Sequence, residues 1–435
     1  MLDIKYIRDN AQAIQKAARQ KKIDLDVNQL LKIDKKRREL QTQINQLEKQ
    51  KNQLSAKIKG KPTVQQIKQG KTIKQRINQL DQKFEQVKNQ YQDLMVLVPI
   101  VPSKDTPIGK DESENVEIYR QGDIPKFDFP SKDYLEIAKT HDLLDLERGV
   151  KVSGYRGYYI KNQAVPLVLG MMMHALNKLI AKGFTPIIPP TLVREFVLYG
   201  SGYFAGSSYN PKADNIYQLA NQEIKADGSQ DKQKNFLVGT AEPSLLAYHA
   251  NETLEEKDLP LKFCGFSQCY RSEIGSYGKD TKGIYRVHEF LKVEQVCLSR
   301  ASIQESDQLH QEMLGVSKEL HQDLEIPFRQ IQICTGDLSA GKYKQFDMEA
   351  WIPSRQDWGE TGSASNFLDW QSRRLNVKYK DKKGQKKYVY MLNNTALAST
   401  RPLIAILENL QLQDGSVRIP KALQSYLKTK TISKK

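Results

Sequence analysis

Two apolar repeats run through the first hundred residues, and no ordinary globule can absorb them. In the first, Ile33, Arg37, Leu40, Ile44, Leu47, Lys51, Leu54 and Ile58 fall at alternating intervals of four and three. In the second, Ile73, Ile77, Leu80, Phe84, Val87, Tyr91, Leu94 and Val98 keep the same rhythm. A sustained 3.5-residue repeat lays one apolar seam along a helix and requires a partner seam, the coiled-coil condition. Gly60-Lys61-Pro62 interrupts the pattern, so the spacing predicts two helices folded back as an antiparallel hairpin. About 30 residues per helix at 1.5 Å rise give roughly 45 Å. A hairpin that thin has no core beyond its seam and must project as an arm. Arg37 and Lys51 stand on the seam itself and are expected to snorkel outward.

Charge singles out the same segment. The chain carries 67 Lys+Arg against 51 Asp+Glu over 435 residues, a formal net charge of +16. Residues 1–100 hold 22 basic and 10 acidic side chains, so +12 of that excess lies there. Between Lys49 and Leu80 stand nine basic residues and no acidic one: Lys49, Lys51, Lys57, Lys59, Lys61, Lys68, Lys71, Lys74 and Arg76. A projecting arm with a cationic outer half suits a phosphate backbone.

Other compositional signals exclude function classes. Cys264, Cys269, Cys297 and Cys334 lack zinc-knuckle spacing, and four cysteines in 435 residues are not a disulfide framework. Cys264 and Cys269 fall on a predicted strand and read as small buried hydrophobes. The N-terminus MLDIKYIRDN has an early Asp3 and no apolar run, so neither a signal nor a transit peptide is expected. No stretch reads as the ~18 apolar residues of a spanning helix. The expectation is a cytoplasmic protein with no membrane partner.

Residues 99–112 contain three prolines and mark a linker. Two domains are expected, 1–103 with the arm and 104–435 of α+β character, richer in Gly, Pro, Tyr and short apolar runs. Residues 167–182 read as an apolar helix and 183–190 as a short buried strand ended by proline. Residues 221–235 are polar and read as a surface loop or hairpin tip.

The chemistry-bearing stretch is Tyr270-Arg271-Ser272-Glu273, a Gly- and Lys-rich loop, and Arg286-Val287-His288-Glu289-Phe290. It reads as two strands joined by a long polar loop. Period-two alternation puts Arg271 with Glu273, and Phe290 with Lys292 and Glu294, on shared faces. An arginine, carboxylates and an aromatic ring on one sheet surface can hold a nucleoside triphosphate beside an ammonium-bearing small molecule. Further along, a strand at 388–392 runs into a helix whose first turn carries Arg401 and Pro402. A helix N-terminus with an arginine makes an anion site. Two more polar segments are Gly239-Thr240-Ala241-Glu242 and Trp358-Gly359-Glu360-Thr361-Gly362-Ser363.

Taken in order, these segments resemble the class II aminoacyl-tRNA synthetases. The helix and strand around Gly183–Pro190 resemble motif 1, residues 270–290 motif 2 and residues 393–409 motif 3. The loop GSYGKDTKG, the run AILEN, the Thr-Ala-Glu triplet and the N-terminal hairpin are similar to those of the seryl-tRNA synthetases, and the likeness covers most of the chain. It implies an α+β architecture, an antiparallel two-helix coiled-coil arm followed by a class II catalytic domain with an antiparallel β-sheet flanked by helices. It also implies serine–tRNA ligation: serine's carboxylate attacks the α-phosphorus of ATP, and the seryl group passes to the terminal ribose of tRNA(Ser). Whether tRNA(Sec) is charged too is left open. ATP with Mg²⁺, L-serine, tRNA and a homodimer built on motif 1 are the implied cofactors and partners.

The resemblance also assigns roles. Arg271 would meet the α-phosphate and Arg401 the γ-phosphate, while Phe290 stacks on adenine. Glu360 and Ser363 would contact Mg²⁺, and Ser272, Glu273, Thr361 and Gly362 complete the ATP site. Thr240, Ala241, Glu242, Glu294 and Thr395 would hold serine, with Arg271, Glu294 and Arg401 the catalytic set. Lys279 and Lys282 in the motif 2 loop would take the acceptor end of tRNA, and the nine arm cations its backbone. There are departures. Many bacterial relatives have Gly-Ser-Gly at Asn394-Thr395-Ala396, arginine at Gly359 and Ser-Ser at Thr361-Gly362, and Pro243 follows the triplet here. Thr395 keeps a hydroxyl where the family has serine's. Two rivals share the fold: an enzyme loading a carrier protein would not need the basic hairpin, and a catalytically dead RNA-binding paralogue would not need Arg271, Glu294, Glu360 and Arg401.

Overall fold

The computed structural model describes residues 2–433 apart from 59, 222, 275–277 and 279–281. Lys59 and Lys279, both expected tRNA contacts, lie outside the described residues. The chain divides into two units, Met1–Val101 and Pro102–Lys435.

In the first unit, α1 (Ile4–Asp9) and α2 (Ala11–Gln20) precede the long helices α3 (Val27–Ala56) and α4 (Val64–Leu97). The long helices start where side chains can satisfy free backbone N–H groups. Asp26 accepts from the Asn28 amide at 2.8 Å, and Thr63 and Gln66 form a reciprocal capping box. Gly60, at φ +95°, supplies the left-handed turn residue between them. The heptad seam is realised: Leu40, Ile44, Leu80 and Val87 are buried, with Ile33, Leu47 and Phe84 packed against them. Below it, Ile7, Ile14, Leu30, Met95 and Val98 close a small core at the base.

Lys51 is exposed, but Arg37 does not snorkel. Its guanidinium donates to Asp34 at 3.0 Å and lies 4.6 Å over the Tyr91 ring. Asp34 is fully buried and also takes Arg8 at 2.9 Å and Arg38 at 3.1 Å. Burial pushes its carboxyl up, but Arg37 and Arg8 hold it below the usual range. One buried carboxylate thus ties α1 to α3.

The second unit is built on an eight-stranded sheet: β1 (Val116–Gln121), β2 (Thr185–Ile187), β3 (Leu261–Tyr270), β4 (Glu289–Ser299), β5 (Phe328–Gln332), β6 (Lys344–Ile352), β7 (Asp357–Asn366) and β8 (Tyr390–Ala398). Their spatial order is β1-β5-β6-β7-β8-β4-β3-β2, and every pair is antiparallel except the edge pair β2–β3. Helices α5 (Ala164–Ala181), α6 (Ile303–Asp323) and α7 (Thr400–Asn409) bury Leu167, Met171, Met313, Leu403 and Ile406 in one core with Val293 and Cys297 of β4. Alternation along β4 sends Phe290 and Lys292 the other way, into an open pocket.

Three expectations change. The strand predicted at 270–273 ends at Tyr270, so Arg271, Ser272 and Glu273 follow it as irregular backbone. The strand at 183–190 shrinks to Thr185–Ile187 and is largely exposed, with Ile188 84 % exposed, because it forms the edge of the sheet. The strand at 388–392 is longer and runs to Ala398, carrying Thr395 on the sheet. Helix α5 is the one described helix long and apolar enough to cross a membrane by length and composition. Its buried side chains (Leu167, Val168, Met171, Met172 and Leu179 among them) make it a core helix, while Leu169, Met173 and Ile180 remain exposed. All four cysteines are buried and unpaired.

Candidate active site

Arg271, Glu273, Phe290, Glu360, Thr361, Gly362, Thr395 and Arg401 converge on one pocket with Tyr285, Arg286 and Lys292. Arg271 leaves the end of β3, anchored by a hydrogen bond to the Gly239 carbonyl at 3.3 Å, with its guanidinium 5.3 Å over the Phe290 ring. Arginine and aromatic thus form one wall, flat enough to take a stacked base beside a phosphate. Arg401 comes from the first turn of α7, as Asn393–Arg401 runs off the sheet. Its Nη1 donates to the Glu360 carbonyl at 2.7 Å and carboxylate at 3.2 Å, and its Nε donates to the Tyr285 carbonyl at 3.2 Å. The Tyr285 ring lies between Arg401 at 4.6 Å and Arg355 at 4.3 Å.

That ring explains one departure from the family pattern. A Cβ at Gly359 would stand 2.8 Å from the Tyr285 hydroxyl oxygen, so in this chain the tyrosine fills space a side chain at 359 would need. A Cβ at Gly362 would meet the Thr395 carbonyl at 3.1 Å, a close approach between β7 and β8.

Glu360 stands near the acidic end of the pocket. Burial raises its carboxyl, but the Arg401 and Arg271 guanidiniums hold it below the usual range. Asp347 behaves oppositely, pushed up to about 7 by burial and then by Glu360. Asp347 pairs with Ser363 across β6–β7, and Gln345 donates to both, at 2.8 and 3.0 Å.

The deeper end is polar and closed. Lys292 and Glu294 form a buried ion pair at 2.6 Å, and Thr395 Oγ1 is 3.3 Å from each partner. Thr240 and Glu242 are buried nearby, the Glu242 amide donating to Thr240 Oγ1 at 3.3 Å. Glu242 accepts from Tyr203 at 2.8 Å and Gln371 at 2.9 Å. Burial and the neighbouring Glu294 raise its carboxyl. Burial also drives the Tyr203 hydroxyl far up, so it stays a donor.

Not every expected residue turns to the pocket. Ser272 Oγ donates to Asn215 Oδ1 at 3.3 Å instead, while Glu273 lines the pocket but at φ +54°, paired with Arg286 at 3.1 Å and Arg156 at 3.5 Å. The sharp backbone turn breaks the alternation that would have put Glu273 beside Arg271. Ala241 is buried in an apolar cluster behind the triplet. Lys282 is exposed. In the first unit the eight described arm cations are all exposed, and none has an acidic partner among the described residues. Tyr203 and Gln371 were missed because they lie 39 and 129 residues from Glu242. Lys292 is legible in the sequence, sharing a strand face with Phe290 and Glu294, though the resemblance assigns it no role.

An open antiparallel sheet with paired arginines over an acidic strand defines the second unit as a class II aminoacyl-tRNA synthetase core. The family model for the tRNA synthetase class II core domain (G, H, P, S and T) matches residues 223–410, and that for the seryl-tRNA synthetase N-terminal domain matches residues 1–102. The chain is 39 % identical over 434 residues to the serine–tRNA ligase of Treponema denticola, covering 98 % of both. It is 41 % identical over 437 residues to that of Borrelia garinii, again covering 98 % of both. The crystal structure of seryl-tRNA synthetase from Pyrococcus horikoshii complexed with ATP is similar with a TM-score of 0.86 at 37 % identity, over 100 % of both chains. The chain belongs to the seryl-tRNA synthetase family.

Proposed function

We propose that this enzyme activates L-serine with ATP and transfers the seryl group to tRNA(Ser). The observation that carries the reading is the joining of two sites on one sheet face. Arg271, Phe290, Glu360 and Arg401 suit a nucleoside triphosphate, and Glu294 with Thr395 suits an ammonium and a hydroxyl beside it. A carboxylate is already nucleophilic, so the first step needs alignment and charge neutralisation more than a general base. Arg271 would hold the α-phosphate and Arg401 the γ-phosphate through guanidinium forks. Phe290, already under Arg271, would stack on adenine.

Thr240, Glu242 and Glu294 would receive serine's ammonium, and Glu294 with Thr395 its hydroxyl. A site that hydrogen-bonds a hydroxyl rejects alanine strongly, because the buried partners would be left unpaired. Threonine carries that hydroxyl and is left to exclusion by volume, a weaker filter of about 1–3 kcal/mol.

Among the described residues no cluster of three or more His, Cys, Asp or Glu side chains could hold a metal alone. Glu360 and Ser363 nevertheless fit Mg²⁺, being hard oxygen donors on one strand, with the remaining positions taken by nucleotide oxygens and water. Bound there, the ion would neutralise charge on the triphosphate. The arm cations and Lys282 would bind tRNA, and the exposed apolar face of α5 with β2 would meet a second copy across a twofold axis. A cytoplasmic location completes the reading. Charging of tRNA(Ser) transcript with labelled serine tests it: accumulation of seryl-tRNA supports the proposal, and its absence with active ATP turnover overturns it.

A further inference from the structure

The Lys292 ammonium stands where the foregoing reading puts that of the amino acid. Its Nζ is 2.6 Å from Glu294 Oε2 and 3.3 Å from Thr395 Oγ1, the two groups assigned to serine's ammonium and hydroxyl. Lys292 and Glu294 are 5 % and 2 % exposed, so neither can turn to bulk water. Cross-strand pairing sets the geometry: Glu294 lies opposite Thr395 on β8, and Lys292 opposite Ser267 on β3. A bulge between Val293 and Glu294 shifts this register. Lys292 also lines the pocket that holds Arg271 and Phe290, on the side where activation would occur.

Three charged groups therefore meet at this end, Glu242, Glu294 and Lys292. Glu294 raises the Glu242 carboxyl while Lys292 works against it. A buried carboxylate left without a cation is costly, so the empty site needs an internal counter-ion. A bound zwitterion brings its own ammonium to Glu294, and its carboxylate then needs a cation within reach.

We infer that Lys292 is an exchangeable stand-in: it neutralises Glu294 in the empty site and, on serine binding, swings to the substrate carboxylate. This rests on the serine reading of the site. The swing needs only rotations about the lysine stem, which carries several soft torsions. It would hold the carboxylate beside the Arg271-bound α-phosphate and offset the repulsion between two anions that must approach. Lys292 would thereby select for a free α-carboxylate.

The test compares L-serine with L-serinamide, which keeps the ammonium and hydroxyl but lacks the carboxylate. Serine's KM is measured by ATP–pyrophosphate exchange and serinamide's inhibition constant by competition, in wild type, Lys292→Met and Lys292→Arg. In Lys292→Met, serine's KM should rise about tenfold or more, the worth of one charge-assisted hydrogen bond, while serinamide binds as well as before or better. Lys292→Arg should recover serine binding to within about fivefold, since it retains the charge. Lys292→Gln gives the same comparison if the methionine variant does not fold. Equal weakening of both ligands would show that Lys292 merely holds Glu294 and overturns the inference, as would an unchanged serine KM. A wild-type enzyme with no serine-dependent exchange would overturn the serine reading itself, and this inference with it.

Discussion

Residues 1–101 keep most of their charge in water, whereas residues 102–435 hold the charges that would do chemistry in fixed pairs, some of them buried. Along the arm, eight described cations stand exposed without acidic partners. In the pocket, Lys292 with Glu294 and Arg401 with Glu360 are held in fixed geometry. The difference follows from what each surface meets. A long polyanion is bound by many weak, screened contacts, so the cations need only project. A small zwitterion and a triphosphate are bound by a few groups whose position is set beforehand, and that needs low dielectric and second partners. The buried Asp34 with its three arginines is an exception, and it lies at the base rather than the outer half.

The strongest way to separate the two units is to remove residues 48–78 and join the ends with a short turn. This deletes the nine cations of the outer half while keeping Leu40, Ile44, Leu80 and Val87 in the seam. Transfer to tRNA should fall by about 10³-fold or more, whereas serine-dependent pyrophosphate exchange should stay within about threefold. Normal charging by the shortened arm would break the distinction between the units.

Next in size is Glu294→Gln, which keeps the shape and removes the charge opposite Lys292. Serine activation should drop by about a hundredfold or more, with ATP affinity nearly unchanged. A parallel loss of ATP binding would mean that the two halves of the pocket are not separable.

Between pH 7.5 and 5, stability should depend on pH chiefly in the second unit. Burial pushes His310 and His321 down to about 4, against an ordinary value of 6.5. Both are therefore neutral in the folded chain and protonate more readily when unfolded. Their contribution is full above pH 6.5 and is lost as pH falls from 6.5 through 4, up to roughly 3 kcal/mol each. Residues 1–101 contain no histidine, and all three tryptophans (Trp351, Trp358 and Trp370) lie in the second unit. Asp347, raised to about 7, gains stability over the same window, so the midpoint followed by tryptophan fluorescence should fall by only about 2 °C between pH 7.5 and 5, and by about 5 °C in Asp347→Asn. An unchanged midpoint in Asp347→Asn would show that these rings are not buried neutral.

The smallest effect sharpens the arm itself. Neutralising Lys68 and Lys71 together should leave activation untouched and flatten the salt dependence of tRNA binding by about two units of slope, near 0.9 per phosphate contact. No change in slope would place the contacts elsewhere on the arm.

Much of this was legible in the sequence, for reasons that differ by region. The arm could be read because helical geometry forces a seam to repeat every three and four residues. Arg37 was misread because its anchors, Asp34 one turn before it and Tyr91 on the other helix, leave no mark on the heptad pattern. In the pocket, alternation placed Phe290 with Lys292 and Glu294 because β4 is regular there. The same rule failed at Glu273, where the strand has already ended and the backbone turns to φ +54°. Tyr203 and Gln371, which fix Glu242, reach it only through the fold. The Tyr285 ring that occupies the space beside Gly359 is likewise a tertiary fact, invisible to any local pattern.

The central claim is that the buried end of the pocket is made for serine. ATP–pyrophosphate exchange with each of the twenty amino acids in turn tests it most directly. Serine should give by far the fastest exchange, with threonine weak and alanine at background. Exchange driven by another amino acid and not by serine would contradict the assignment of Glu294 and Thr395.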